Sequence, residues 1–207
     1  MQLIRIALTG GPGGGKTTLM RELRAQDPYA HRWLLVPESA PLLFSTGLNG
    51  REKPFQRTVV QLQIALEDTI ANNASPAQVL LCHRGALDPL AYWLRNGWNE
   101  EEFFAFVGMS REDLFRRYCG VIHLQTAAIG AEAHYRRWPD AHRPETLERA
   151  AETDRLCARA WSGHERYVFI DNIDRDWSSK TQLAHDALNR WRVQIANSVS
   201  HEIREGE

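Results

Sequence analysis

Thr9-Gly10-Gly11-Pro12-Gly13-Gly14-Gly15-Lys16-Thr17-Thr18 carries a match to G-x-x-x-x-G-K-[ST] from Gly10 to Thr17. The apolar run Leu3–Leu8 precedes it and the helix-like run Leu19–Leu23 follows it, which is the strand-loop-helix context that gives such a match meaning. A loop that wraps a triphosphate turns its backbone N–H groups inward. That demands backbone angles that side chains forbid, and five of the first six loop positions are glycine. Pro12 stiffens the sixth. The helix that begins after Gly15 aims its unsatisfied amides and positive dipole end at the same anion. Gly11, Gly13, Gly14, Gly15, Lys16, Thr17 and Thr18 are therefore the expected nucleotide contacts. Lys16 adds a point charge for the β- and γ-phosphates, and the Thr17 hydroxyl is placed to ligate Mg²⁺.

Working outward, the 207 residues fit one domain, 1–207, with a lid. Apolar residues at 43% and charged residues at 25% suit a soluble globular chain, and no apolar run approaches the roughly eighteen residues of a membrane span. Leu3–Leu8 is interrupted by Arg5 and passes straight into the glycine loop, so it reads as a first strand and not as a secretory signal. A net charge of −1 offers no basic field to nucleic acid or to an anionic membrane. Cys82, Cys119 and Cys157 are odd in number and form no C-x-x-C, so neither a disulfide framework nor a zinc site is expected, and a reduced cytoplasmic setting fits.

Four more apolar runs follow: Trp33–Val36, Val79–Cys82, Val121–Leu124 and Tyr167–Ile170. Helical patterns alternate with them, from Phe55 along Val59, Leu62, Leu66 and Ile70, over Leu90–Leu94, behind the caps Asn99 and Ser110, over Leu147–Trp161 with Leu147, Ala151, Ala158 and Trp161 near one face, and over about 179–197 before a fraying tail. Asp88 with Pro89 reads as an N-cap with proline at N1. Residues 40–54 read as a mobile loop. Alternation of this kind argues for an α/β three-layer sandwich with a parallel five-stranded sheet.

Ligands of such sheets bind outside the carboxyl ends of the strands. Glu38 follows the second run, where it stands either as a placed acid or as a solvated loop carboxylate. His83 and Arg84 follow the third. Arg84 there is either a bidentate clamp for phosphate or substrate or an arginine packed on a structural carboxylate. Gln61 and Gln63 lie off the apolar stripe of their helix and read as surface glutamines with a possible substrate role. The segment 127–146 carries His134, Arg136, Arg137, His142 and Arg143 with two prolines. It reads as a lid whose Arg136, Arg137 and Arg143 stabilise a transferring phosphoryl group, with a solvated basic loop as the alternative. Asp171-Asn172 closes the fifth run, as a base contact or as an Asx turn.

The glycine loop, Pro37-Glu38-Ser39-Ala40, Phe55-Gln56, His83-Arg84-Gly85 with Asp88 and Tyr92, and Glu152…Trp161…His164…Ile170-Asp171-Asn172…Lys180 together resemble a family of small P-loop ATP-binding proteins. That family is described as AAA-type but is closer in shape to nucleoside and nucleotide kinases, including the nicotinamide riboside kinase domain. The resemblance implies a kinase-like strand order with the third run beside the first, and a closing lid. It also implies that Glu38 and Arg84 face an acceptor, with Glu38 as base toward its hydroxyl, and that Asn172 stands near the purine. His83 stands where relatives commonly have an acidic residue, so Mg²⁺ would depend on Thr17, waters and Glu38. The leading expectation is transfer of the ATP γ-phosphoryl to a small hydroxyl acceptor, such as a nucleoside. The alternative is a regulatory switch that binds ATP or GTP and hydrolyses it slowly or not at all; the guanine signature N-K-x-D is missing.

Overall fold

The computed structural model describes residues 3–26, 32–75, 78–135 and 145–205, with side chains described through residue 192. Five strands, β1 (Ile4–Thr9), β2 (Trp33–Val36), β3 (Val79–His83), β4 (Gly120–Leu124) and β5 (Tyr167–Ile170), form one sheet in the order β2-β3-β1-β4-β5. Every pairing is parallel, so the third strand lies beside the first and all five carboxyl ends emerge along one edge. The sheet register places His83 next to Leu8, one residue before the glycine loop begins to turn.

Strand residues alternate between two cores because successive side chains point to opposite faces. Ile6, Leu8, Leu81, Ile122 and Leu124 meet α1 (Lys16–Gln26) and α8 (Trp177–Glu205) through Leu19, Leu23, Leu188 and Trp191. Ala7, Leu80, Cys82 and Val121 face the other way. They are covered by α3 (Lys53–Asn72), α4 (Pro89–Arg95), α5 (Glu100–Val107), α6 (Arg111–Arg116) and α7 (Leu147–Trp161). This is the three-layer sandwich expected. Trp93 is fully buried there, edge-on to Trp98 and Phe103, and so fills the core.

Local signals account for most element ends. The Asn99 side chain accepts from the Glu101 and Glu102 amides, Ser110 and Asp113 form a capping box, and Gly108 and Gly163 end helices at positive φ. Some expectations are overturned. Within the expected loop, Ser39–Phe44 is a short helix, α2. The buried face of α3 carries Gln56, Gln63 and Glu67 beside Phe55, Val59 and Val60 and is more polar than expected, while Leu66 and Ile70 pack against the core only partly buried. On α7 the buried set is Ala150, Ala151, Thr153, Asp154, Cys157, Ala160 and Trp161, so Ala158 lies beside the face and not on it. Asp88 occupies the N-cap position of α4 but makes no cap hydrogen bond; its carboxylate is used elsewhere. The last helix starts earlier and its backbone continues to Glu205 instead of fraying.

Candidate functional site

Lys16 opens α1 and is 5% exposed, its Nζ donating to the Gly10 and Gly11 carbonyls at 2.8 Å each. Burial, and next the nearby Arg84 charge, lower its pKa to about 8. Gly10 sits at φ +118°, and a Cβ on it or on Gly14 would collide with the Leu124 carbonyl at the end of β4. The mouth of the cradle is formed by Gly13, Thr17 and Thr18, which are exposed, while Gly11 and Gly14 are buried and Gly15 is half-buried.

The cradle is braced from the far side of the sequence. Asp154 of α7 accepts from the Gly11 amide at 2.7 Å and the Thr126 amide at 2.9 Å, and His123 Nε2 lies 3.1 Å from the same oxygen. Thr126 in turn donates its hydroxyl to the Pro12 carbonyl. Burial alone would raise the Asp154 pKa, but the His123 imidazole and these two amides hold it below the ordinary value. Two rings flank the loop: Trp177 packs over Gly15, and Tyr135 comes within 2.8 Å of where a Gly13 Cβ would be.

On the other side of Gly10 stands a network of side chains. Arg84 adopts φ +68°, a left-handed conformation that is uncommon outside glycine and tends to cluster at functional sites. Its Nε donates to Glu38 Oε1 at 2.8 Å, Nη1 donates to the Gly10 carbonyl and Asp88 Oδ1 at 3.0 Å each, and Nη2 donates to the Tyr92 hydroxyl at 2.8 Å. Asp88 is fully buried and also accepts from Thr9 Oγ1 at 2.7 Å, the Gly85 amide at 2.9 Å and Trp161 Nε1 at 3.0 Å. Four elements therefore meet on one carboxylate. Burial pushes the Glu38 pKa up, but Arg84 first, then His83 and Lys16, pull it down to about 2, so it is a carboxylate at any physiological pH.

Glu38 and Arg84 line a small cleft, open in part to solvent, with Phe55, Gln56, Gln63 and Tyr92. Gln63 donates to Glu67 Oε1 and to the Arg84 carbonyl at 3.2 and 3.3 Å, and Gln56 donates to the Gly50 carbonyl at 2.9 Å. Both are buried, so Gln63 is no surface glutamine; Gln61, by contrast, is exposed.

His83 joins the two halves. Its Nε2 lies 2.9 Å from Thr17 Oγ1, and its Nδ1 lies 3.3 Å from Glu38 Oε2, out of line for a full hydrogen bond. Burial outweighs the Glu38 charge and lowers its pKa to about 4, so the ring is neutral at pH 7. Among the described residues no cluster of three or more His, Cys, Asp or Glu side chains forms a self-sufficient metal site. The oxygens present, the Thr17 hydroxyl and the Glu38 carboxylate, are of the hard type that suits Mg²⁺. Mg²⁺ needs only one or two protein ligands beside phosphates and waters.

Thus Lys16, Thr17, Glu38 and Arg84 come together, whereas Arg136, Arg137 and Arg143, with the 136–144 part of the expected lid, lie outside the described residues. Asn172 donates to the Thr126 and Ile129 carbonyls at 2.8 and 2.6 Å and accepts from Lys180 Nζ at 2.6 Å. Its amide protons are thus spent on fixing the turn after β4, and any contact with a base would compete with these bonds. Sequence reasoning missed Asp154, Thr126, Tyr135 and Trp177. Asp154 had a readable signal: it interrupts the stripe of small and apolar residues on α7.

A glycine loop at the end of β1, a helix opening beneath it and a buried lysine within it define a P-loop nucleotide-binding domain. The chain belongs to a family described as AAA domain, whose model matches residues 5–180. No curated protein matches it. Among the described residues no helix is long and apolar enough to cross a membrane.

Proposed function

We propose that the protein is a phosphotransferase that moves the γ-phosphoryl group of ATP to a hydroxyl of a small acceptor, such as a nucleoside or related metabolite. The observation that carries this reading is the Glu38 carboxylate. It is aligned by Arg84 at the wall of a cleft separate from the phosphate loop, and the same guanidinium bonds the Gly10 carbonyl of that loop.

In this scheme the loop amides and Lys16 hold the β- and γ-phosphates, and the acceptor enters beside Phe55, Tyr92 and Glu38. Thr17 would hold Mg²⁺, with Glu38 across the His83 ring acting on it through water, and the ion when bound supplies neutralisation of charge on the phosphate oxygens. Glu38 accepts the hydrogen bond of the acceptor hydroxyl and directs its lone pair toward the γ-phosphorus. With a pKa near 2 it is a weak base. A loose phosphoryl-transfer transition state asks more for orientation than for early proton removal, so a weak base suffices. Arg84 acts through Glu38 by fixing its plane. The likeness to the nicotinamide riboside kinase domain supports a riboside acceptor, and Arg136, Arg137 and Arg143 fit the part of lid arginines.

The test is Glu38→Gln, assayed as ADP release across a panel of ribosides and deoxyribosides. Turnover with the productive acceptor is expected to fall about 10²–10³-fold while ATP affinity stays near that of the wild type. Unchanged turnover removes Glu38 from the mechanism. His83 at the end of β3, in place of an acid, favours a second reading, an ATP- or GTP-binding regulatory switch. Tight NTP binding with no acceptor-dependent release across the panel would establish it instead.

A further inference from the structure

The structure assigns His83 as a positioning residue for the divalent cation: its Nε2 takes the Thr17 hydroxyl proton and turns the Thr17 oxygen lone pairs outward to a metal–nucleotide complex. The inference rests on the nucleotide-binding half of the proposed function and not on the identity of any acceptor.

A threonine hydroxyl has one proton and two lone pairs, and it serves a cation only when the proton points elsewhere. At 2.9 Å, His83 Nε2 is within hydrogen-bonding reach of Thr17 Oγ1. An imidazole can act there as donor or as acceptor, and the other nitrogen decides which. His83 Nδ1 lies 3.3 Å from Glu38 Oε2, out of line for a full hydrogen bond, but at that distance the negative carboxylate favours the ring proton on Nδ1, which leaves Nε2 as the acceptor. Glu38 thereby sets the tautomer, and the tautomer sets the hydroxyl. The ring cannot drift, because His83 is paired with Leu8 in the sheet and its side chain is only 14% exposed.

The arrangement differs from one with a carboxylate at this place in its charge. An acid would add a negative charge facing the γ-phosphate, whereas the neutral imidazole orients Thr17 and adds none. The cation is then held mainly by the phosphates it arrives with, and the protein supplies one correctly turned hydroxyl.

The test is calorimetric titration of the full-length protein with ATP, with and without Mg²⁺, for the wild type, His83→Ala and His83→Gln. Gln reaches far enough to place an amide oxygen near the position of Nε2. The quantity read is the gain in affinity conferred by Mg²⁺, which a purely structural role would not move selectively. We expect that gain to shrink roughly 10-fold or more in H83A, the range seen when partners of metal ligands are removed. H83Q should recover most of it. A full gain in H83A, no gain in the wild type, or equal loss in H83Q and H83A each overturns the inference. Should H83A not fold, the wild type still decides when Mn²⁺ replaces Mg²⁺. A tenfold or greater preference for Mn²⁺ that H83Q abolishes puts the imidazole nitrogen on the metal itself and overturns the positioning role, and comparable gains with the two ions support it. No acceptor is present in these titrations, so a protein that shows the His83 effect but releases no ADP with any acceptor fails only the kinase reading.

Discussion

The two halves of the site are built by different means. The phosphate cradle is main chain: glycines pressed against the Leu124 carbonyl, amides held by Asp154, and a lysine folded back onto loop carbonyls. The other half, proposed to take the acceptor, is side chain: Glu38 after β2 and Arg84, Asp88 and Tyr92 from the one stretch after β3 are joined by hydrogen bonds of 2.8 to 3.0 Å. A main-chain site must recruit glycine in a fixed order, so it marks the sequence. A side-chain site needs only that the topology bring a few ordinary polar residues together.

The comparison can be broken hardest at Lys16. In Lys16→Ala the cradle keeps its shape but loses its charge, and turnover should fall by roughly 10²–10³-fold, the scale of one lost transition-state donor. Acceptor binding to the other half should be little changed. Equilibrium binding of the acceptor that collapses together with turnover would show that the halves are one unit and not two.

Asp88 tests the side-chain half in the same spirit. It is fully buried and is one of two carboxylates on Arg84, whose side chain is 9% exposed, so Asp88→Ala leaves the guanidinium to Glu38 alone and takes the acceptor from Thr9, Gly85 and Trp161. Breaking such a pair costs about 3–5 kcal/mol. For a chain of this size that is a fall of roughly 10 °C in thermal midpoint. Asp88→Asn should cost less, since it keeps an acceptor for Thr9. A midpoint within a degree or two of the wild type in D88A would mean that the network does not anchor the fold around Arg84.

This difference also explains what the sequence disclosed. The strands and the P-loop were legible because apolar runs and glycine spacing obey simple periodicities, whereas the third strand beside the first was implied only by the resemblance to nucleotide kinases. The polar face of α3 was not, since Gln56, Gln63 and Glu67 are buried only because the turn after β3, α4 and the segment before β4 deliver Arg84, Tyr92 and Tyr118 opposite them. Asp88 carried a correct local signal, a proline-led helix start, yet the tertiary demand of Arg84, Thr9 and Trp161 outbid the cap. Asp154 was visible as a break in the stripe of α7, but its partner was not: more than a hundred residues separate it from the Gly11 amide it holds, and only the crossover from β4 to β5 through α7 closes that distance.

The smallest expected effect lies at Asp154, where one side chain serves the main-chain half. Its pKa is held below the ordinary value by His123 and the Gly11 and Thr126 amides, as that of Glu38 is held at about 2 by Arg84, His83 and Lys16. In both cases the unfolded chain takes up a proton before the folded chain does as pH falls. The stability these groups contribute is therefore complete above the unfolded pKa of roughly 4 to 4.5 and drains away as pH drops through the folded value. Asp154→Asn keeps one acceptor oxygen but gives up the charge, and at pH 7 it should cost about 1–3 kcal/mol in urea unfolding. The gap between the wild type and D154N should narrow between pH 5 and pH 3. The E38Q gap should begin to close as pH falls below about 4.5 and go on closing toward about 2, because the folded Glu38 still holds its charge near pH 3. A D154N gap that stays constant across that range would show that the cradle is braced by the shape of residue 154 and not by its charge. The main-chain half would then owe nothing to electrostatics beyond Lys16.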